Sequence, residues 1–181
     1  PGNERKPGSI GTAVRGAELR VVDGDDQQVP TNEVGELVVR GQYVMKGYWN
    51  KPEATENAMR GGWFHTGDMA REDEDGAFFI VDRKKDMILR GGYNVYPREV
   101  EEAIYQFPGV VEAAVLGVRA VVVFESGVLE SKGREALTQE LDAFVQERVA
   151  KYKYPRIYRI VDELPKGPTG KILKRELTLD A

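Results

Sequence analysis

The apolar residues of this 181-residue chain change their spacing once, near Asp86, and that change limits what the chain can fold into. Before it, Val, Leu, Ile and Phe come in short runs at 18–22, 34–40 and 78–82. Between them lie the turn-forming segments Asp23-Gly24-Asp25-Asp26 and Asp73-Glu74-Asp75-Gly76. Short apolar runs bounded by Asp and Gly read as strands joined by tight turns. One helix interrupts them over 52–59, with Asn50 placed to cap it, Pro52 near its first turn, and Glu53 and Glu56 at the positive end of its dipole.

After Asp86 the period lengthens. Pro97 opens a helix in which Val100, Ala103, Ile104 and Phe107 fall on one face and Arg98, Glu99, Glu101 and Glu102 on the other. Strand-like runs follow at 110–118 and 119–124, then a longer helix over 134–150 burying Leu137, Leu141, Phe144, Val145 and Val149. A strand at 157–161 and a short helix starting near Lys171 complete the pattern. The expected fold class is α+β: a small β-rich, barrel-like subdomain at 1–84, then a compact α+β unit at 85–181 with helices packed on a small sheet. The joint is the charged run Asp82-Arg83-Lys84-Lys85-Asp86, which taken alone is a solvated turn.

Composition removes several classes of function. With no cysteine and one histidine there is no disulfide framework, no thiolate zinc site, no cysteine nucleophile and no histidine-rich metal cluster, so no metal ligands are assigned. A net charge of −4 argues against a nucleic-acid partner, since a phosphate backbone is held by surplus Lys and Arg. No apolar run approaches the ~20 residues that a membrane span requires, and a cytoplasmic setting is expected. The opening Pro1-Gly2-Asn3-Glu4-Arg5-Lys6 has neither a signal-peptide core nor an initiator methionine, so a piece of a longer protein is expected.

Three polar segments marked by glycine carry the candidate chemistry: His65-Thr66-Gly67-Asp68, the stretch 82–94, and 165–175. An aspartate at a strand end can accept both hydroxyls of a ribose, which makes Asp68 a nucleotide candidate. Arg83 can donate to ribose or phosphate through a planar fork. Pro165-Lys166-Gly167-Pro168-Thr169-Gly170-Lys171 is a rigid loop ending in a lysine that could stabilise charge developing on phosphate and carboxylate oxygens. It fails the spacing of a phosphate-binding P-loop, and Lys171 is followed by Ile172. Each segment by itself is more often a plain turn. Arg83 could equally serve in a surface ion pair, and Gly91-Gly92 as an ordinary turn.

In this order and spacing the segments resemble the late motifs of the adenylate-forming superfamily, which includes acyl-CoA synthetases, beetle luciferases and peptide-synthetase adenylation domains. The matching residues are Gly35-Glu36-Leu37-Val38-Val39-Arg40-Gly41 with Gly47-Tyr48, then Gly62-Trp63-Phe64-His65-Thr66-Gly67-Asp68. Further on come Ile80-Val81-Asp82-Arg83-Lys84-Lys85-Asp86, Gly91-Gly92-Tyr93-Asn94-Val95-Tyr96-Pro97 with Glu99, and the Pro165 to Lys171 loop. The resemblance implies the end of an N-terminal adenylation domain at 1–84 and a mobile C-terminal lid domain at 85–181. It implies an ATP-dependent acid:coenzyme A ligase that forms an acyl-adenylate and then a thioester. A medium- or long-chain fatty acid is the expected substrate.

The same resemblance assigns Asp68, Arg83 and Ile80 to the nucleotide, Lys171 to bridging the carboxylate and α-phosphate, and Lys85 to the hinge. Gly91, Gly92 and Tyr93 would line the coenzyme A tunnel, and His65 belongs to a strand end rather than acting as a base. The expected partners are a carboxylic acid, ATP and coenzyme A, with Mg2+ held through the missing N-terminal domain. The phosphate loop and the Tyr-Gly-x-Thr-Glu segment expected upstream are absent, so the fragment alone is expected to be inactive. Gly117-Val118 runs straight into Arg119, where the family usually has a loop; either that loop is deleted or residues are missing. Two rival readings are an amino-acid or aryl-acid adenylation domain loading a carrier protein, and a non-catalytic free-standing fragment. Oligomeric state is not legible.

Overall fold

In the first half, glycine and alternating apolar residues let strands approach closely. In the computed structural model, which describes residues 6–177, β1 (Ala17–Val22) pairs antiparallel with β2 (Gly35–Gly41). A Cβ at Gly35 would sit 2.3 Å from the Val22 carbonyl oxygen, so only glycine fits there. β2 then pairs with β3 (Phe64–Glu72), and β3 with β4 (Phe78–Arg83), both antiparallel. Val21, Leu37, Ala70 and Phe78 make the buried cluster, with Leu19, Val29 and Ile80 against it. The order β1-β2-β3-β4 is an open sheet among the described residues, so the α+β class holds while the barrel-like form does not.

The expected turns are present. Asp73 Oδ1 accepts the amides of Asp75 and Ala77 to close the β3–β4 hairpin, and Asp23 Oδ1 accepts those of Asp25 and Gln27. Side-chain acceptors of this kind explain why aspartate favours turns. The helix α1 (Pro52–Ala58) is capped differently from expectation: Lys51 holds the cap position without a side-chain bond, and Asn50 lies outside at φ +54°. Pro52 sets this boundary because its ring occupies the first helical position, where no N–H is needed.

The chain divides into two compact units, Pro1–Lys85 and Asp86–Ala181. In the second, β5 (Ile88–Arg90) and β6 (Tyr93–Val95) form a hairpin, and α2 (Pro97–Tyr105) follows. β7 (Val110–Leu116) and β8 (Arg119–Phe124) pair antiparallel, joined by Gly117-Val118 alone, with Leu116 opposite Arg119. Gly117 at φ +57° meets the requirement of a two-residue hairpin for positive φ, so the strands close directly on each other. After α3 (Ser126–Lys132) and α4 (Arg134–Gln146), β9 (Ile157–Val161) adds parallel to β8. Val100, Ile104, Leu137, Leu141 and Val145 fill the space between helices and sheet and are fully buried.

Three details differ from expectation. α3 has no buried residue and was invisible to periodicity. α4 stops at Gln146, and Val149 follows in a tightened turn in which Arg148 and Val149 both donate to the Val145 carbonyl. The helix expected from Lys171 is a short hairpin followed by a 3₁₀ turn at Lys174–Glu176. Among the described residues no helix is long and apolar enough to cross a membrane.

Candidate functional site

Asp68 stands where β3 bulges. Glu36 faces Met69 and Val38 faces His65, so Thr66, Gly67 and Asp68 lie opposite Leu37 alone. Gly67 takes φ +72°, a left-handed conformation that glycine adopts without steric cost. Bulges re-aim side chains and are common beside active sites. Directly across the sheet, Asp68 faces Arg83, and the two side chains form an ion pair with Arg83 Nε 2.8 Å from Asp68 Oδ1. With side chains 31% and 49% exposed, this pair contributes about 0–1 kcal/mol, little enough that either partner can turn to a ligand. Ile80, the third expected nucleotide residue, sits opposite Ala70 and packs against the first unit's core.

Behind this edge lies a group that sequence reasoning passed over. Glu36 is 4% exposed, and its Oε1 accepts the Gly67 N–H at 3.2 Å. Its Oε2 accepts the Lys84 ammonium at 2.7 Å and faces His65 Nδ1 at 3.2 Å. Because a carboxylate only accepts, that contact places the imidazole proton on Nδ1. Arg60 approaches the same oxygen at 3.5 Å and also pairs with Asp26 at 2.9 Å. The one signal in the sequence was a carboxylate in the apolar run Gly35-Glu36-Leu37-Val38, where a buried charge requires partners.

Burial pushes the Glu36 carboxyl up, but hydrogen bonds from Lys84 and His65 outweigh it and hold the group below its ordinary value of 4.5. A carboxyl depressed in the fold stabilises it above the unfolded-state value, and that stability is lost as pH falls through the lower folded value. Glu36→Gln removes the titrating group. The stability gap between wild type and variant is therefore expected to be full at neutral pH and to shrink below about pH 4.5, which thermal midpoints at several pH values measure.

Lys85 lies exposed in the 3₁₀ turn Lys84–Asp86. Gly91 and Gly92 form the two-residue turn of the β5–β6 hairpin at φ +57° and +83°. Nothing lies within 4 Å of a Cβ built at either, so backbone conformation and not local crowding calls for glycine. Tyr93, 58% exposed, stacks on Tyr152 with ring centroids 4.5 Å apart.

Lys171 occupies a hairpin that the fold holds on both flanks. The Gly167 N–H donates to the Lys171 carbonyl, the Gly170 N–H to the Gly167 carbonyl, and the Leu173 N–H to the Pro165 carbonyl. Lys166 pairs with Glu112 on β7, and Lys174 with Glu101 on α2 at 2.7 Å. Leu164 and Ile172 pack against Ala114, Val121 and Val123. Lys171 itself is exposed and has no side-chain partner among the described residues, so its ammonium remains available. The structure thus brings Asp68 and Arg83 together in the first unit, and sets Gly91-Gly92-Tyr93 and Lys171 on separate hairpins of the second.

Residues 1–49 match the family model described as AMP-binding enzyme, and residues 99–171 match the one described as AMP-binding enzyme C-terminal domain. A long-chain-fatty-acid–CoA ligase of Bacillus subtilis (strain 168) is 48% identical over 179 residues, covering 96% of this chain and 32% of that protein. An ATP-bound chimera of RpMatB and BxBclM superposes with TM-score 0.88 at 40% identity, over 96% of this chain and 36% of the other. The o-succinylbenzoate CoA synthetase of Bacillus subtilis, solved with its acyl-adenylate intermediate, gives TM-score 0.84 at 34% identity over 97% and 36%. The chain spans about a third of the length of the curated relatives it matches. With both family models matched in order and likeness along almost its whole length, the chain belongs to the adenylate-forming family of AMP-binding enzymes.

Proposed function

We propose that this chain is the C-terminal portion of an AMP-forming acid:coenzyme A ligase, comprising the end of the adenylation domain and the lid domain. The observation that carries the reading is the Asp68–Arg83 pair on a bulged strand end, in a chain 48% identical to a long-chain-fatty-acid–CoA ligase. Asp68 accepts the ribose hydroxyls, Arg83 donates beside it, and Ile80 borders the nucleotide. In the first half-reaction a carboxylate oxygen attacks the α-phosphorus of ATP and pyrophosphate leaves. Lys171 lies between the two reactants and stabilises the charge that develops on their oxygens. In the second, the coenzyme A sulfur attacks the acyl carbon and AMP leaves, with Gly91, Gly92 and Tyr93 beside the pantetheine arm. Lys85 is the hinge between these arrangements.

Magnesium accompanies the triphosphate, and its ligands are expected outside this chain. Among the described residues no group of three or more Asp, Glu or His side chains is placed to hold a metal ion. The ligase relative favours a long-chain fatty acid as the substrate; a medium-chain acid and a cytoplasmic setting are proposed with it. An aryl acid is the second reading, favoured by the likeness to o-succinylbenzoate CoA synthetase.

The test uses the full-length protein, with acid-dependent pyrophosphate exchange measured over fatty and aryl acids. Exchange with a fatty acid and coenzyme A-dependent release of AMP are expected. In the same assay Asp68→Ala is expected to raise the KM for ATP by about 10- to 100-fold, the loss of one or two hydrogen bonds to a charged group. Absence of exchange with every acid sinks the proposal.

A further inference from the structure

We infer that Glu36 is a positioning residue for the nucleotide edge, gripping the residue before Asp68 with one carboxylate oxygen and the residue after Arg83 with the other. The inference rests on the nucleotide role proposed above for Asp68 and Arg83.

The bulge supplies the need. With three residues of β3 opposite Leu37 alone, the ladder cannot pair every backbone group there. Side chains take over: Glu36 Oε1 accepts the Gly67 N–H at 3.2 Å, and Thr66 Oγ1 accepts the Asp68 N–H at 3.1 Å while donating to the Leu37 carbonyl at 2.7 Å. A neutral acceptor would have served for Gly67. Burying a carboxylate is costly unless cations and hydrogen bonds compensate it, so the charge at Glu36 calls for a further explanation. Lys84 provides one, 2.7 Å from Oε2 and next in sequence to Arg83.

A single buried group therefore holds the backbone amide that precedes Asp68 and the side-chain ammonium of the residue that follows Arg83, immediately ahead of Lys85. His65 and Arg60, at 3.2 and 3.5 Å, contact the same oxygen. Asp68 pairs with Arg83 at a half-exposed edge, so its direction depends on this backbone support.

The full-length protein tests this through backbone hydrogen exchange at residues 66–68 and 83–85, together with the kinetics of pyrophosphate exchange. Glu36→Ala is expected to accelerate exchange in both segments and to raise the KM for ATP about tenfold while kcat at saturating ATP changes less than about threefold. Glu36→Gln can still accept the Gly67 N–H but cannot hold an ammonium. It is expected to recover slow exchange at 66–68 and most of the ATP KM, and to leave 83–85 fast, as in Lys84→Met. A lower melting temperature with unchanged KM in Glu36→Ala, or a glutamine variant no better than alanine, overturns the inference. Asp68→Ala is the control: if it leaves the KM for ATP unchanged, the nucleotide role of this edge fails, and the exchange pattern alone decides whether Glu36 holds it.

Discussion

Replacing Lys171 with alanine in the full-length protein is expected to lower acyl-adenylate formation by about 10²- to 10³-fold, the usual consequence of removing one preorganised donor to a developing oxyanion. Thioester formation from supplied acyl-adenylate should stay within a few-fold of wild type, since in the proposed role the lysine acts on the carboxylate and α-phosphate and both have already reacted. Structure makes the substitution a clean one. The hairpin is held by backbone hydrogen bonds, by Lys166–Glu112 and Lys174–Glu101, and by Leu164 and Ile172, none of which involves the Lys171 side chain. Folding should therefore be little affected. Pyrophosphate exchange read against thioester formation from synthetic acyl-adenylate separates the two steps, and equal loss in both refutes the assignment.

The second large effect is expected at Lys85. Proline there fixes φ near −65°, within the range of the 3₁₀ turn that Lys84–Asp86 adopts, and removes the freedom a hinge requires. One half-reaction should persist while the other falls by at least about 100-fold, the scale of loss that follows when reacting groups are misplaced by an ångström or more. The same two assays measure it. Survival of both half-reactions removes Lys85 from the hinge, and a melting temperature close to wild type shows that neither unit has been disrupted.

Much of the architecture was legible because it depends on neighbours in sequence. The face Val100, Ala103, Ile104 predicts α2, Asp73 predicts the β3–β4 turn, and Gly91-Gly92 predicts a tight turn, each through interactions spanning a few residues. Where two local signals compete, the reading slips. Asn50 is a good capping residue, but Pro52 dictates the helix start and moves the cap to Lys51. α3 has no fully buried residue and packs only Val128 and Leu129 partly against the core, too few to leave a periodic trace.

The candidate site divides along the same line. Its chemical groups were identifiable from residue type, spacing and resemblance: Asp68, Arg83, Lys85, the Gly91-Gly92 turn and Lys171. Their supports were not. Glu36 meets Lys84 across 48 residues and the Gly67 amide across 31, and Lys174 reaches back to Glu101 on a different helix. The sequence by itself determined β1, β2, β4, β7 to β9, the helices α1, α2 and α4, and the Asp- and Gly-marked turns, because backbone preference and hydrophobic period act over one or two turns of chain. The tertiary structure alone decided which carboxylate is buried and that Lys84, Lys166 and Lys174 are paired, because those choices depend on strand register and on a two-residue bulge that brings distant groups within hydrogen-bonding distance.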